Sequence, residues 1–342
     1  MGSDDQLNSK IFWMLHLSDG TGTILVLRTR IVPVPGKKFS ASRQIDDIVE
    51  AITDRISVWS RPVLTSYELG RLCFELGSVI GSTTTRALYD AVVDKLSVYK
   101  LLSPSKEFKG STVFHLFGRS KSSPAEVACA IDPFAYVSHL SAMEFHGITD
   151  RFPKTLFLCT PPAAEWRTLA SEKMRKDLGS RHDDYLAAGL PVLRFLPFSS
   201  VEGVRVHLLR RSKRGAFKII KSPPIRVATL GRTFLDMLRE PDNCGGIQHV
   251  IDTYREYAAR YLSLIVEEVD RHGQSIDKVR AGFLLDEVCK LEHPMLEGWL
   301  KAVQRGGSRM LDPQGEYAAS FSQKWMLSVN VPSLQNQEET GD

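Results

Sequence analysis

The sequence is poor in cysteine and has neither a long apolar run nor a common nucleotide-binding motif. Its five cysteines are odd in number and scattered, and no C-x-x-C pair occurs, which argues against zinc ribbons and thioredoxin-like redox sites. We expect no membrane span and no secretory signal, because no apolar stretch approaches the ~18 residues of a span. Since Walker A and G-x-G-x-x-G motifs are absent, we expect no cofactor, and the cysteine usage suits a reducing cytoplasm.

Acidic and basic residues are unevenly distributed along a chain whose formal net charge is only +4. Residues 151–230 contain 16 Lys and Arg against 6 Asp and Glu, a local charge of +10. Residues 231–342 contain 12 against 18, a local charge of −6. This asymmetry favours one basic face for a polyanion or an acidic partner, with two ordinary surfaces of different charge as the alternative.

The length of 342 residues favours two domains, and the mixture of patterns predicts an α+β (mixed α/β) fold. Strand patterns near residues 11–15 and 24–27 predict a β-hairpin at the N-terminus. The predicted parts are an N-terminal extension at 1–43, a first domain at 44–118, a linker at 119–124, a second domain at 125–332 and a disordered tail at 333–342.

Three helices followed by two strands are predicted in the first domain. The first helix begins at Gln44 and carries isoleucines on one face. Thr65 and Glu68 have the spacing of a capping box at the start of the second helix, and Gly77 is expected to end it. The third helix and the two strands are expected near residues 83–96, 99–102 and 112–117. This order is typical of a winged helix-turn-helix.

The third helix and the loop between the two strands supply the predicted DNA contacts. Hydroxyl and guanidinium groups suit phosphate oxygens and base edges, and lysines suit flanking phosphates. The predicted contacts are Ser82, Thr83, Thr84, Thr85, Arg86, Tyr89, Lys106 and Lys109. Asp90 and Asp94 lie on the same helix, and winged helices also serve as protein-interaction modules. The first alternative is therefore a scaffold that never touches DNA.

The second domain is predicted to combine a small sheet with several helices. A helix is expected over Phe134–His146, a strand over Thr155–Thr160, and a helix or loop over Glu165–Leu178. Further strands are expected at Val192–Phe195, Val204–Leu209, Ala216–Ile220 and Ile225–Ala228. Helices then follow at Leu230–Arg239, Gly246–Arg260, Tyr261–His272, Ile276–Lys290 and Pro294–Gln304.

A group of basic residues within the second domain is its strongest electrostatic feature. Arg205, Arg210, Arg211, Lys213 and Arg214 form a predicted second surface for a polyanion or a partner. The last four are expected to form the turn of a hairpin between the strands at 204–209 and 216–220. An exposed turn that keeps a sheet edge soluble is the alternative interpretation.

No pattern of residues predicts catalysis or metal binding. His139 and His146 lie two helical turns apart, whereas helical zinc ligands are usually closer, as in H-E-x-x-H. Ser138 has no G-x-S-x-G context, and it is not expected to face His139 on the predicted helix. The second alternative is an enzyme that acts on nucleic acid through separated carboxylates and a lysine, which no single segment favours.

Two segments of the second domain resemble the AbiEi family of bacterial antitoxins. The first runs from Tyr136 through Gly147 to Thr160-Pro161 and is similar to the family's tyrosine, serine-alanine and histidine-glycine core. The second, Leu230–Asp236, looks like the family's arginine-threonine-x-leucine-aspartate helix. The following Pro241, Cys244, Gly245, Gly246 and Ile247 look like its proline and glycine-glycine continuation. Arg232 and Asp236 are four residues apart, a spacing that allows them to pair on one helix face.

The resemblance implies a type IV antitoxin, a non-enzymatic protein with a winged helix-turn-helix head. The head would bind operator DNA with inverted repeats upstream of its own operon and repress it. The second domain would counter a cognate nucleotidyltransferase-like toxin, without requiring a stable complex, in phage defence by abortive infection. A monomer on two repeats and a symmetric homo-oligomer both fit this expectation. The extension before residue 44 and the long helical C-terminus depart from the family pattern.

Overall fold

The computed structural model describes residues 12–15, 26–29, 41–110, 112–119, 123–212, 215–303 and 309–335. The strands are β1 (Phe12–Leu15), β2 (Val26–Thr29), β3 (Val63–Thr65), β4 (Leu102–Pro104), β5 (Val113–Leu116), β6 (Tyr136–Val137), β7 (Thr155–Thr160), β8 (Ser200–Val201), β9 (Val204–Arg210), β10 (Phe217–Ile219), β11 (Arg226–Ala228), β12 (Phe321–Ser322) and β13 (Leu327–Ser328). The helices are α1 (Ala41–Ser57), α2 (Ser66–Ile80), α3 (Arg86–Val98), α4 (Pro124–Ile131), α5 (His139–His146), α6 (Ala163–Leu178), α7 (His182–Ala187), α8 (Leu230–Arg239), α9 (Ile247–His272), α10 (Ser275–Phe283), α11 (Pro294–Trp299) and α12 (Pro332–Gln335).

The largest sheet has six strands in the order β10-β11-β6-β7-β9-β8. It is mixed, because β7 pairs with β9 and β11 pairs with β6 in parallel, whereas the other pairs are antiparallel. A three-stranded sheet has the order β3-β5-β4, and two further two-stranded sheets pair β1 with β2 and β12 with β13. These helices and mixed sheets confirm the predicted α+β fold class.

The chain divides into two compact units. The first comprises the described residues up to Trp59, with Thr65–Pro104 and Met174–Leu193. The helices α1, α2 and α3 pack on one another, and Ile48, Leu69 and Val92 are fully buried.

A later segment completes the core of the first unit. Tyr185 on α7 is fully buried and packs edge-on against Phe74 and Tyr67, with ring centroids 5.3 and 6.2 Å apart. The Tyr67 hydroxyl donates to Asp177 at 3.0 Å. The first unit is therefore built from discontinuous stretches of the chain.

The second unit comprises Ser60–Leu64, Ser105–Lys173 and the described residues from Arg194 onward. The six-stranded sheet lies here with α5, α8 and α9. Helices α8 and α9 approach closely because Gly231 has no side chain. A Cβ at Gly231 would lie 2.4 Å from the carbonyl oxygen of Leu264.

Several predicted elements are wrong. The predicted helix over Phe134–His146 contains the strand β6, and α5 begins only at His139. No strand forms at Val192–Phe195, and α4 lies partly inside the predicted linker. By contrast, the two helices predicted at Gly246–Arg260 and Tyr261–His272 are both present, because α9 has non-helical dihedral angles at Tyr261 and so consists of two helices joined by a kink at the predicted break. Among the described residues, no helix is both long and apolar enough to span a bilayer.

Candidate functional site

Local hydrogen bonds and a glycine determine where α2 begins and ends. The predicted capping box is confirmed, since the Thr65 side chain accepts from the Glu68 N–H and the Glu68 carboxylate accepts from the Thr65 N–H at 2.9 Å. Helix α2 continues past Gly77 and ends at Gly81, which has the left-handed φ of 76°. The expectation that Gly77 ends the helix is therefore wrong.

Gly77 has a different role, because it makes room for the following turn. A Cβ at this position would lie 2.4 Å from Thr84 Oγ1. Thr84 Oγ1 donates to the Cys73 carbonyl at 3.3 Å, which holds the segment before α3 against α2. Thr85 then caps α3, because its side chain accepts from the Leu88 N–H at 3.3 Å.

The predicted DNA contacts around α3 divide into buried and exposed residues. Ser82, Thr84 and Tyr89 are buried, with at most 8% of their surface exposed. A buried side chain cannot reach a DNA groove without rearrangement, so these positions fit the packing of the unit rather than a contact. The exposed predicted contacts are Thr83, Thr85 and Arg86.

Arg86 is paired within its own helix. Its Nε donates to the two carboxylate oxygens of Asp90 at 2.9 and 3.1 Å, and its guanidinium lies 5.4 Å from the ring centre of Tyr89. The hydrogen bond to Asp90 raises the pKa of the guanidinium above its ordinary value. The pair is exposed and weak, so Arg86 remains available to exchange Asp90 for a phosphate.

The predicted contacts Lys106 and Lys109 are exposed and belong to the second unit. The residues between them are engaged within that unit. Glu107 accepts from the N–H groups of Glu202 and Gly203 at 3.1 and 3.3 Å, and the Phe108 ring packs edge-on against Phe198 at 6.3 Å. The loop between β4 and β5 is thus a structured element that presents two lysines.

The residues of the predicted second basic surface do not share one face, because side chains alternate between the two faces of the sheet along β9. Arg205 and Arg210 are both exposed. They are five residues apart on the strand, and an odd offset places their side chains on opposite faces of the sheet. Arg210 lies over the ring of Phe195, 5.0 Å from its centre. Arg211 forms an ion pair with Glu240. Lys213 and Arg214 lie outside the described residues.

The predicted hairpin between residues 204–209 and 216–220 is wrong. Strand β9 lies between β7 and β8, whereas β10 is at the opposite edge and pairs with β11. Residues 211–216 therefore connect strands that have β7, β6 and β11 between them. The sequence contains both strands, but nothing local specifies that three others come between them.

A polar cluster lies beneath this connection, formed by Tyr136, Ser138, His139, Arg232, Asp236 and Glu240. His139 is 1% exposed and has a φ of 50°, a left-handed conformation that costs a non-glycine residue on the order of 1 kcal/mol. Its Nδ1 lies 2.9 Å from Ser138 Oγ, which also accepts from the Cys159 thiol at 3.3 Å. Ser138 and His139 thus face each other, contrary to expectation, because Ser138 has an extended backbone and precedes α5.

His139 and Glu240 carry opposite charges in this cluster. His139 Nε2 lies 3.3 Å from Glu240 Oε2 without an aligned hydrogen bond. Burial disfavours the charged imidazole, but interactions with Cys159 and Glu240 and the negative charge of Asp236 outweigh it and raise the pKa of His139 to about 10. Burial likewise opposes ionisation of Glu240, but His139 and Arg211 outweigh it and lower its pKa to about 2.

Arg232 and Asp236 form the predicted pair on one face of α8. Arg232 Nε donates to Asp236 Oδ1 at 2.8 Å, and both side chains are almost fully buried. Asp236 Oδ2 has no hydrogen-bond partner. Burial opposes the charge of Arg232, but Asp236 and Tyr136 more than offset this effect and raise the pKa of the guanidinium.

Both ends of the connection from β9 to β10 are held by this cluster. Arg211 pairs with Glu240 at one end, and at the other the Gly215 N–H donates to the Tyr136 hydroxyl at 3.1 Å. Gly215 lies so close to Arg232 that a Cβ would be 2.5 Å from Arg232 Nε. The cluster therefore contacts both described ends of this connection, and it brings together the segments around Tyr136 and around Arg232.

The residues of the polar cluster do not line the surface cleft of the second unit. A surface cleft of about 420 Å³ lies elsewhere, between the ends of α9, α10 and α11, lined by Asp270, Lys278 and Trp299. The described residues contain no group of three His, Cys, Asp or Glu side chains arranged to hold a metal ion. Glu240 and Cys159 were missed by the sequence reasoning, because neither lies in a motif and their partners are distant in the sequence.

Comparison with known proteins gives little further information. No family model matches the chain, and no curated protein matches it. A solved structure, the crystal structure of the Rv2827c protein from Mycobacterium tuberculosis, is similar with a TM-score of 0.47 and 12% identity, covering 85% of this chain and 94% of that one.

Proposed function

We propose that this protein is a DNA-binding antitoxin of the AbiEi type, which acts in the cytoplasm and has no enzymatic activity of its own. The observation that carries the proposal is the element order α1-β3-α2-α3-β4-β5, together with the strand order β3-β5-β4. A winged helix-turn-helix has this order, with the strand after its first helix paired to the last strand of the wing.

The start of α3 is the surface that would contact operator DNA. Thr83, Thr85 and Arg86 are exposed there, and the free N–H groups of a helix N-terminus favour a phosphate. Arg86 would exchange its exposed pair with Asp90 for a base edge or a phosphate. Lys106 and Lys109 would add contacts to phosphates.

The second unit would counter a nucleotidyltransferase-like toxin encoded beside this protein. The support is the contact between the two segments that carry the family resemblance. Tyr136 and Arg232 both contact Gly215, so they hold the basic connection in one position. Arg210 and Arg211, at the β9 end of this connection, would then contact an acidic surface or a nucleic acid.

The DNA-binding half of the proposal is tested by fluorescence anisotropy. The full chain is titrated against a labelled duplex from upstream of its own operon and against a shuffled duplex, at several salt concentrations. Arg86→Ala should weaken binding to the operator more than to the shuffled duplex. Arg71→Ala is the matched control, because Arg71 pairs with Glu75 four residues later on α2. Equal losses on both duplexes would contradict a base-reading role for Arg86.

A protein-interaction scaffold is the second candidate, favoured by the carboxylate of Asp90 beside Arg86. The salt series distinguishes DNA binding from a role as a protein-interaction scaffold. Phosphate contacts give a log–log slope of about −0.9 for each phosphate neutralised. Absent or salt-insensitive binding to both duplexes would favour the scaffold.

The antitoxin half is tested in cells by co-expression with the neighbouring toxin gene. The parent chain should restore growth, and Arg86→Ala should still restore it, because neutralisation is assigned to the second unit. Failure of the parent to restore growth would contradict the antitoxin assignment without affecting the DNA-binding result.

A further inference from the structure

One face of the six-stranded sheet exposes an aromatic and basic surface that the proposed function does not use. The register pairs Thr155 with Arg205 and Phe157 with His207 on β7 and β9, so these four side chains lie on the same face. Arg205 and His207 are exposed, and Thr155 and Phe157 are partly exposed. We refer to Thr155, Phe157, Arg205 and His207 as the sheet platform.

The sheet platform rests on a rigid base. The intervening residues Leu156, Leu158 and Val206 point to the opposite face and are buried in its core. On the platform side the N–H of Phe157 donates to Ser141 Oγ at 3.0 Å, where α5 begins to cover the sheet. The sheet platform thus lies next to α5, and the strand register fixes the positions of its two rings.

Two rings stand side by side on this surface. The ring centres of Phe157 and His207 are 5.5 Å apart with an interplanar angle of 34°. The His207 ring is exposed, and the Phe157 ring is partly exposed, since it also lies 6.3 Å from the buried ring of His139. Aromatic rings on neighbouring strands of a sheet are the arrangement on which single-stranded nucleic acids stack their bases. Sequence-tolerant stacking needs only a ring face, whereas paired bases in a duplex present no free face.

The charge around the rings suits the same ligand. Arg205 is next to the rings on β9, and the exposed Lys154 precedes β7. The acidic residue at the neighbouring turn, Glu202, lies 3.8 Å from His115, which partly engages its carboxylate. The surface therefore has exposed cations on or next to the same two strands as the rings, a combination that suits a sugar–phosphate backbone.

We propose that the sheet platform binds single-stranded nucleic acid, with bases stacked on Phe157 and His207 and Arg205 on the phosphate backbone. This site is independent of α3 and of the proposed operator binding. An acidic peptide would use Arg205 and Lys154 but not the ring faces, which makes the rings the discriminating feature.

The experiment measures anisotropy of the full chain with labelled 12-nucleotide single strands of RNA and DNA, and with the operator duplex in parallel. Phe157→Leu and His207→Ala should each weaken single-strand binding by roughly tenfold, as expected for a lost stacking partner, and leave duplex binding unchanged. Phe152→Leu is the matched control, because Phe152 is an 83% exposed ring of the same unit outside the platform. Arg86→Ala should leave single-strand binding unchanged.

The single-strand binding of the variants either supports or overturns the proposal. His207 is exposed, so its replacement tests the surface even if Phe157→Leu proves to unfold the chain. No single-strand binding, or equal effects of Phe152→Leu and His207→Ala, would overturn the proposal. Displacement of the strand by polyglutamate, combined with no effect of His207→Ala, would assign the surface to an acidic peptide instead and would also overturn it.

Discussion

His139 Nε2 at the start of α5 lies 3.3 Å from Glu240 Oε2 at the end of α8. The pKa of each group is shifted in the direction that favours its charged form. The pKa of His139 is about 10 in the folded chain, above the ordinary 6.5. Its contribution to stability is therefore full below about pH 6.5 and is lost as the pH rises toward 10. For Glu240, with a pKa of about 2 against 4.5, the contribution is full above about pH 4.5 and is lost as the pH falls toward 2.

We predict that His139→Gln removes the loss of stability that the parent chain shows as the pH rises above 6.5. The free energy of unfolding from urea titrations should fall less between pH 6.5 and 10 in the variant than in the parent. At pH 6 the variant should be less stable by about 3 kcal/mol, because Glu240 loses its buried partner and keeps only Arg211. His146→Gln is the control, since burial lowers the pKa of His146 instead. Parallel curves for the parent and His139→Gln would contradict the charge assignment.

Gly215→Ala should destabilise the chain by about 1–3 kcal/mol through overpacking, because its Cβ would lie 2.5 Å from Arg232 Nε. The control is Gly298→Ala on α11, where a Cβ meets nothing within 4 Å. That change should be neutral or stabilise by up to about 1 kcal/mol. Chemical denaturation measures both. An unchanged stability in Gly215→Ala would show that the connection is not held against Arg232.

Gly77→Ala should destabilise the first unit because its Cβ would lie 2.4 Å from Thr84 Oγ1. Thr84→Ala removes that atom, and with it the hydrogen bond to the Cys73 carbonyl. The double variant should therefore be more stable than the sum of the two single effects predicts, by about 1 kcal/mol. Additive losses in a double-mutant cycle would mean that Gly77 and Thr84 do not interact in this way.

Asp90→Asn should strengthen operator binding by a few-fold, because it releases Arg86 from its ion pair. The cost in stability should be only about 0.5 kcal/mol, since the pair is exposed. Glu75→Gln on α2 is the control for net charge, as it removes a carboxylate that pairs with Arg71 and Arg55. Anisotropy with the operator duplex measures the change. If both variants bind alike, the gain reflects net charge rather than Arg86.

Local signals in the sequence predict local structure well in this chain. The capping box of Thr65 and Glu68 is present, and the strand predicted over Thr155–Thr160 has the predicted bounds. The helix Leu230–Arg239 likewise begins and ends as predicted, with Arg232 and Asp236 paired. The cap and the helix depend on interactions within a few residues, whereas the strand β7 is completed by pairing with β9, which is distant in the sequence.

Features set by distant residues were not predictable in the same way. Tyr136 and Val137 have a helical pattern, but they form a strand because β7 and β11 are available to pair with them. The separation of β9 from β10 by three other strands depends on the order of the whole sheet. Glu240 meets His139 across a long stretch of chain, and no spacing in the sequence signals that contact.

The discontinuous first unit has a consequence for how this protein can evolve or be divided. Tyr185 is fully buried against Phe74 and Tyr67, and Asp177 accepts from the Tyr67 hydroxyl. A fragment that ends before residue 174 would leave these aromatic residues without their packing partners. The helices α1, α2 and α3 therefore cannot be moved between proteins by recombination with one cut at each end. An exchange would have to carry α7 with it, so the two units are expected to be inherited together.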